Sequence, residues 1–330
     1  MGVAGIMGPA ATVESATRAD IERIFRSLLL IRRTEERIAS VYSTDSIKSP
    51  VHLSIGQEAI AVGVCDVLRP DDVVAMSYRG HAAYLAKGGD LRRMIAELYG
   101  KVTGCARGKG GSMHLVAPEA GVLGASAVVG TQVPIATGWA LALQRRGASQ
   151  VVACFFGDGA TEEGSMAESL NFAALHRLPI LFICENNGYA IHEPLSKRWA
   201  TERLCDRVAT YGIPTCRIVD QDVFAIRDAA DRAVTAMRKG TGPAFMECLT
   251  YRWREHVGPN EDYGSDSRSR NELQPWLASD QVERLARMLP PEMAERVTVG
   301  VTGQIDDAFE FAAASPAPDP QELLEHVYAR

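Results

Sequence analysis

The sequence predicts an α/β fold: a mostly parallel sheet with helices on both faces and helical extensions at its two ends. Three observations carry this. Val151-Val152-Ala153-Cys154-Phe155-Phe156 and Pro179-Ile180-Leu181-Phe182-Ile183-Cys184 are short, unbroken apolar runs without alternation, which is how strands buried on both faces of a parallel sheet read. The stretch between them, 161–176, is rich in Ala, Leu, Met and Glu and reads as the crossover helix. Each run stops abruptly, the first at Gly157-Asp158-Gly159 and the second at Glu185-Asn186-Asn187. Asp158 and Asn187 should therefore stand at carboxyl ends of parallel strands, where open α/β sheets place their ligands. One is a carboxylate and the other a neutral oxygen donor, a combination that suits Mg²⁺.

The remaining elements follow in order. Residues 1–16 are small and poor in charge, without a basic flank and long apolar stretch, and read as a disordered leader and not a signal peptide. Residues 17–272 then form the α/β domain with an N-terminal helix, and 273–330 a helical extension. Thr17-Arg18-Ala19-Asp20 has the spacing of a capping box. Ile21, Ile24, Phe25, Leu28 and Ile31 recur at helical spacing, so a long helix runs to about Tyr42. Its charged residues Arg32, Arg33, Glu35, Glu36 and Arg37 read as a solvated face. A second helix follows His52 and ends near Leu68. Val73-Val74-Ala75-Met76 is a strand ending at Ser77-Tyr78-Arg79-Gly80-His81, and 91–99 a helix. Gly104 to His114 is a Gly-rich basic loop that invites a phosphate-cradle reading beside that of a plain loop. The small, apolar stretch 121–134 reads as backbone close to a ligand, and 135–144 as a helix. A strand at 217–219, a helix at 224–239 and a strand at 243–249 follow. Tyr251-Arg252-Trp253-Arg254-Glu255-His256 again lies at a strand end. Beyond it, 257–271 is a long polar loop, and the tail reads as short helices separated by prolines.

Composition narrows the class. At 46% hydrophobic residues the chain can bury a large core, and a net charge of −6 with no basic block argues against a nucleic-acid partner. No apolar stretch reaches the roughly 18 residues of a membrane span. The seven cysteines include no Cys-x-x-Cys, and Cys154, Cys184 and Cys248 sit inside apolar runs. Most read as buried thiols in a reducing cytoplasm. His176 and His326 read as structural.

The chemistry at the strand ends excludes a dinucleotide. After Gly157 and Gly159 the next glycine, Gly164, comes two positions too late for that fingerprint. A carboxylate in a phosphate-binding turn also repels pyrophosphate unless a divalent cation stands between them. With a cation, Asp158 and Asn187 predict a diphosphate held through Mg²⁺. Tyr78, Arg79 and Arg252, each just past a strand, would add direct donors, arginine as a bidentate fork.

Gly157-Asp158-Gly159 followed by Asn186-Asn187, with 29 positions between Asp158 and Asn187, resembles the thiamine-diphosphate signature. The wider chain resembles the α subunit of the heteromeric 2-oxo acid dehydrogenases, the decarboxylating component of pyruvate, branched-chain and acetoin complexes. The resemblance rests on His52 with Gly56-Gln57-Glu58-Ala59, Tyr78-Arg79-Gly80-His81, the run from Gly108 to His114, Val129 to Pro134, Tyr251-Arg252 and the tail at 319–328. It implies a thiamine-diphosphate-binding fold. It assigns Mg²⁺ to Asp158, Asn187 and the Tyr189 carbonyl, with Gly157, Gly159 and Ala160 of the turn beside the cofactor. Tyr78, Arg79 and Arg252 would hold the diphosphate, and backbone at Ala127 and Val129 the aminopyrimidine. Ile191 matches the apolar wedge that keeps the cofactor bent, and His52, His81 and His256 match active-site histidines. It implies a β subunit that supplies the glutamate for the aminopyrimidine, hence a heterotetramer of two α and two β. It also implies a small 2-oxo acid as substrate and the lipoyl group of an acyltransferase as acceptor.

The chain departs from that pattern at four places. Arg254 and Glu255 stand where the family has His or Tyr and then Gly. Val257 replaces a serine that several members phosphorylate, His192 a smaller residue, and Ser49-Pro50 a glycine. Arg254, Glu255 and His192 are therefore candidates for reshaping the acceptor side. That leaves a second reading open: a carboligase or transketolase-like enzyme acting on a carbonyl, such as a sugar. A non-catalytic scaffold would have lost Asp158, Asn187 or Arg79, and all are present.

Overall fold

A computed structural model describes residues 16–264 and 268–325. The leader before residue 16 and His326 lie outside them. Thr17 caps the first helix, α1 (Arg18–Val41), and both halves of the capping box form with Asp20. Ile24, Leu28, Ile31 and Ile38 are fully buried along α1, each contributing about 1.5–3 kcal/mol on transfer from water. Then come α2 (Glu58–Cys65), β1 (Val73–Ser77), α3 (His81–Ala86), α4 (Leu91–Leu98), β2 (Val122–Ser126), α5 (Gln132–Arg145), β3 (Val152–Gly157), α6 (Gly164–His176) and β4 (Ile180–Asn186). A two-strand hairpin, β5 (Tyr189–Ala190) and β6 (Glu193–Pro194), leads to α7 (Leu195–Arg198), α8 (Leu204–Ala209), β7 (Thr215–Ile218), α9 (Val223–Arg238) and β8 (Ala244–Leu249). Three helices close the described chain: α10 (Arg270–Ala278), α11 (Gln281–Met288) and α12 (Pro291–Ala314).

Six strands form one sheet in the order β2-β1-β3-β4-β8-β7, and every neighbouring pair is parallel. The expected parallel α/β sheet is thus present. Its central strands are apolar throughout because both faces are covered. Phe155 and Ile183 face a core shared with α1, α2, α9 and α12. Cys154 and Phe182 face the opposite core, shared with α5, α6 and α8. The chain runs from β1 outward to β2 and back to β3 on the other side of β1. The carboxyl ends of β1 and β3 therefore flank a topological switch point, where the crevice of an open α/β sheet opens.

Several expectations need correction. Residues 122–126 form an edge strand where only backbone near a ligand was expected. Pro134 does not precede α5 but sits in its first turn, where its missing N–H costs nothing. The tail holds two short helices, α10 and α11, as expected, but then one long helix of 24 residues, α12. Arg32 and Glu35 are not on a solvated face: they are 6% and 0% exposed. Arg32 pairs with Glu58 and Asp280, while Arg33 and Arg37 do make surface pairs with Glu36 and Asp306. All seven cysteines are unpaired, with Cys205 and Cys216 only half-buried. No helix among the described residues is long and apolar enough to cross a membrane.

The phosphate-cradle reading of the Gly-rich loop also fails, for a physical reason. The buried carboxylate of Glu97, on α4, already accepts from the loop's amides. Oε2 takes the N–H groups of Ala106 and Gly108 at 2.8 and 2.9 Å. Oε1 takes those of Gly110 and Gly111 at 2.7 and 3.0 Å. The loop is an anion nest, and the anion is the protein's own.

Candidate active site

One cleft at the carboxyl edge of the sheet is lined by Tyr78 and Arg79 after β1, by Val129 after β2, by Gly157 at the end of β3 and by Asp158, Gly159 and Ala160 after it. Its far side carries Asn187, Tyr189, Ile191 and His256. Asp158 is 1% exposed. Its Oδ1 has no hydrogen-bond partner, and its Oδ2 pairs with Arg198. Burial pushes its carboxyl above the usual range, against the pull of Arg198. Asn187 donates to Gln57 Oε1 at 3.0 Å, and its own Oδ1 accepts from the Tyr189 amide at 3.1 Å, keeping a second lone pair. Its neighbour Asn186 is structural, donating to Glu247 on β8 at 2.8 Å. The Asp158 carboxylate and the Asn187 amide oxygen belong to residues lining this cleft, and both are hard oxygens of the kind Mg²⁺ takes. Among the described residues no three His, Cys, Asp or Glu side chains form a metal cluster.

Two backbone features shape the corner. A Cβ on Gly159 would lie 3.1 Å from Ala190 Cβ, so any side chain there would push the β5–β6 hairpin back by a few tenths of an ångström. Ile191 and His192 form the hairpin's two-residue turn, and Ile191 has φ +55°. Such turns demand positive φ and usually take Gly, Asn or Asp. A β-branched residue there stores on the order of 1–3 kcal/mol of strain. The residue is 55% exposed and lines the cleft, so core packing does not account for its presence.

On the other wall, Arg79 donates to the carbonyls of Leu53 at 2.7 Å and His256 at 3.1 Å. The rings of His52, Tyr78 and His256 cluster, with centroids 4.4 Å apart for His52–Tyr78 and 5.2 Å for His52–His256. Burial, then Arg79, push both His52 and His256 down to about 3. Unfolded, each would titrate near 6.5. Between those values the unfolded chain binds more protons, so stability falls as pH drops from about 6.5 toward 3. Replacing both with Gln should flatten that part of the curve in urea unfolding across pH; an unchanged slope would mean that other groups set acid sensitivity.

The other expected residues lie elsewhere. His81 is wholly buried, held by Glu35 at 2.8 Å and by the Ser112 hydroxyl at 2.7 Å. It ties α1 to the Gly-rich loop and does not line the cleft. Arg252, 1% exposed, donates to the carbonyls of Ile191 and Arg254 and to Asp262; it braces the strained turn from behind. Ala127 is half-buried beside the cleft. His192 is exposed. Glu255 accepts from the Asn260 amide within its own loop at 2.9 Å, and Arg254 borders a separate hollow with Glu261 and Tyr263.

Three residues escaped the sequence reading. Glu185 and Gln57 both line the cleft, and burial pushes the Glu185 carboxyl up to about 8. Arg268, its side chain buried, donates to the Arg254 carbonyl at 3.1 Å and lies 4.5 Å over the Tyr251 ring. Its place in a Ser- and Arg-rich stretch gave no signal of this. Glu185 was signalled only by standing next to Asn186.

The parallel sheet and the polar crevice at its switch point define an α/β protein with a ligand cleft at the carboxyl ends of its strands. The chain belongs to the dehydrogenase E1 component family, whose model matches residues 26–321. It is 36% identical over 310 residues to the α subunit of acetoin:2,6-dichlorophenolindophenol oxidoreductase of Bacillus subtilis (strain 168), covering 92% of each chain. It is 38% identical over 323 residues to the pyruvate dehydrogenase E1 component α subunit of Rhizobium meliloti (strain 1021), covering 96% of this chain and 92% of that one. The corresponding subunit of Porphyra purpurea is 36% identical over 319 residues, covering 93% and 92%.

Proposed function

We propose that the chain is the α subunit of a two-component, thiamine-diphosphate-dependent enzyme that decarboxylates a 2-oxo acid and passes the activated aldehyde to the lipoyl group of an acyltransferase. The observation that carries this is the buried Asp158, with one unpartnered oxygen, in the same cleft as Asn187, Arg79 and His256. Asp158, Asn187 and the Tyr189 carbonyl would hold Mg²⁺, and the Arg79 side of the cleft the diphosphate. Bound there, thiamine diphosphate supplies a nucleophilic carbon and an electron sink. Ile191 would press on its rings, and beside the anionic diphosphate the depressed proton affinity of the neutral His52 and His256 would rise toward the range in which they can carry a proton.

The partner is a β subunit, in an assembly of two α and two β. Exposed apolar residues on two helices that pack together support this: Ile135 and Trp139 on α5, Phe172 and Leu175 on α6, with Val128 and Val129 exposed shortly before α5. Trp139→Glu should abolish assembly, read by analytical ultracentrifugation. The chain's own stability should change by less than about 0.5 kcal/mol, since the site is on the surface. A variant that still assembles would move the interface elsewhere. Seven unpaired thiols suit a reducing cytoplasm.

The lipoyl acceptor is favoured over a free carbonyl compound because the similar chains include α subunits named as pyruvate dehydrogenase E1 components, and because Glu255 is held within its own loop and does not line the cleft. The test is the chain co-purified with its β subunit, titrated with Mg²⁺ and thiamine diphosphate and assayed with 2-oxo acids, a lipoyl domain and carbonyl acceptors. Cofactor binding and lipoyl acylation are expected, with no activity from the chain alone. Failure to bind the cofactor, or carboligation in place of acylation, would overturn the reading.

A further inference from the structure

We propose that Arg198 is a positioning residue that fixes the Asp158 carboxylate with Oδ1 left for a divalent cation, and that clamps the two elements bearing the metal ligands into one unit. This rests on the reading of the cleft as a metal–diphosphate site. Arg198 is the last residue of the short helix α7, and its side chain is 8% exposed. All three guanidinium nitrogens are used. Nη2 donates to Asp158 Oδ2 and Nη1 to Glu162 Oε1. Nε donates to the Glu193 carbonyl at 3.1 Å. Asp158 and Glu162 lie on the turn after β3, and Glu193 on the hairpin that carries Tyr189 and Ile191.

The fork therefore bridges the turn and the hairpin. It takes one oxygen of Asp158 and leaves the other, buried, without a partner. A planar guanidinium held at three points cannot swing as a lysine ammonium does, so the rotamer of Asp158 is set before any cation arrives. Hydrogen bonds that orient a ligating carboxylate are a recurrent support of metal sites, and losing one costs about 10–100-fold in metal affinity. Glu162 keeps a second donor, the Trp199 indole N–H at 3.0 Å, and so stays anchored if Arg198 is replaced.

The experiment measures Mn²⁺ binding by electron paramagnetic resonance, with thiamine diphosphate present, in the assembled protein. Arg198→Gln should weaken Mn²⁺ binding about 10–100-fold. Arg198→Lys should recover part of the loss, because it restores the charge but not the fork, and it serves as the test if the Gln variant does not fold. Glu162→Gln, which loosens the fork without touching Asp158, should weaken binding less. Mn²⁺ bound as tightly or more tightly by Arg198→Gln or Arg198→Lys would overturn the proposal, since a mere counter-charge competes with the cation. Wild-type protein that binds no Mn²⁺ with thiamine diphosphate would instead overturn the reading of the cleft.

Discussion

Asp158→Asn should weaken divalent-cation affinity of the assembled enzyme by ~100-fold or more, with cofactor-dependent activity falling with it; a ligating group should count for at least as much as the residues that orient one. Asp158 is the only carboxylate in the proposed ligand set, and its Oδ1 lies buried without a partner. The amide keeps the shape but removes the charge that would draw the cation between protein and diphosphate. It can also turn an N–H₂ toward the ion. The metal-free protein should not lose stability. Burial already pushes this carboxyl above its usual range despite Arg198, so the native fold disfavours the charge and gains by its removal. Thermal melts separate the two effects. Thiamine diphosphate and Mg²⁺ at ~100 times Kd should stabilise the wild-type protein by about 2.7 kcal/mol and the variant by almost nothing. A variant that binds normally but melts early would make Asp158 a structural partner of Arg198 and no metal ligand.

The strand ends were legible because two independent constraints meet there. β3 and β4 must be apolar on both faces, so the first polar residues beyond them stand out and are also those the sheet presents to a ligand. β2 was not legible. It is a five-residue edge strand interrupted by Gly124, so neither continuity nor alternation marks it. Long-range polar partners were less legible still. Arg32 and Glu35 share a helix and similar spacing with Arg33 and Glu36, yet the first two are buried and the second two are not. The difference lies in what α1 meets: Glu58 and Asp280 in one case, His81 and the Ser54 amide in the other. Helical spacing continues the apolar stripe of Leu28 and Ile31 through positions 32, 35 and 38 and so marks the buried face, but nothing local names the partners. His81 shows the same limit. A histidine just past a strand was a fair candidate for the site, but it opens α3 and is sealed between Glu35 and Ser112.

Glu97→Ala should destabilise the chain by about 3–5 kcal/mol, because buried donors left unmet cost about 1–3 kcal/mol each. Four backbone N–H groups lose their acceptor together, and some will be rescued by water at the half-buried loop. The damage should spread. Ser112, at the end of the loop, donates its amide to Ser49 and meets His81 Nε2 through its hydroxyl, so the support of α3 loosens with it. Glu97→Gln separates charge from geometry. Its carbonyl oxygen can still take two amides, but its N–H₂ then faces the other two, donor against donor, so an intermediate loss is expected. Urea unfolding gives the magnitude, and hydrogen exchange at 106–111 gives the location. The same exchange experiment tests the wild-type loop with added inorganic phosphate. Because Glu97 already fills the nest, phosphate should leave those amides unchanged; new protection there would mean that the carboxylate can be displaced and that the loop does serve an external anion.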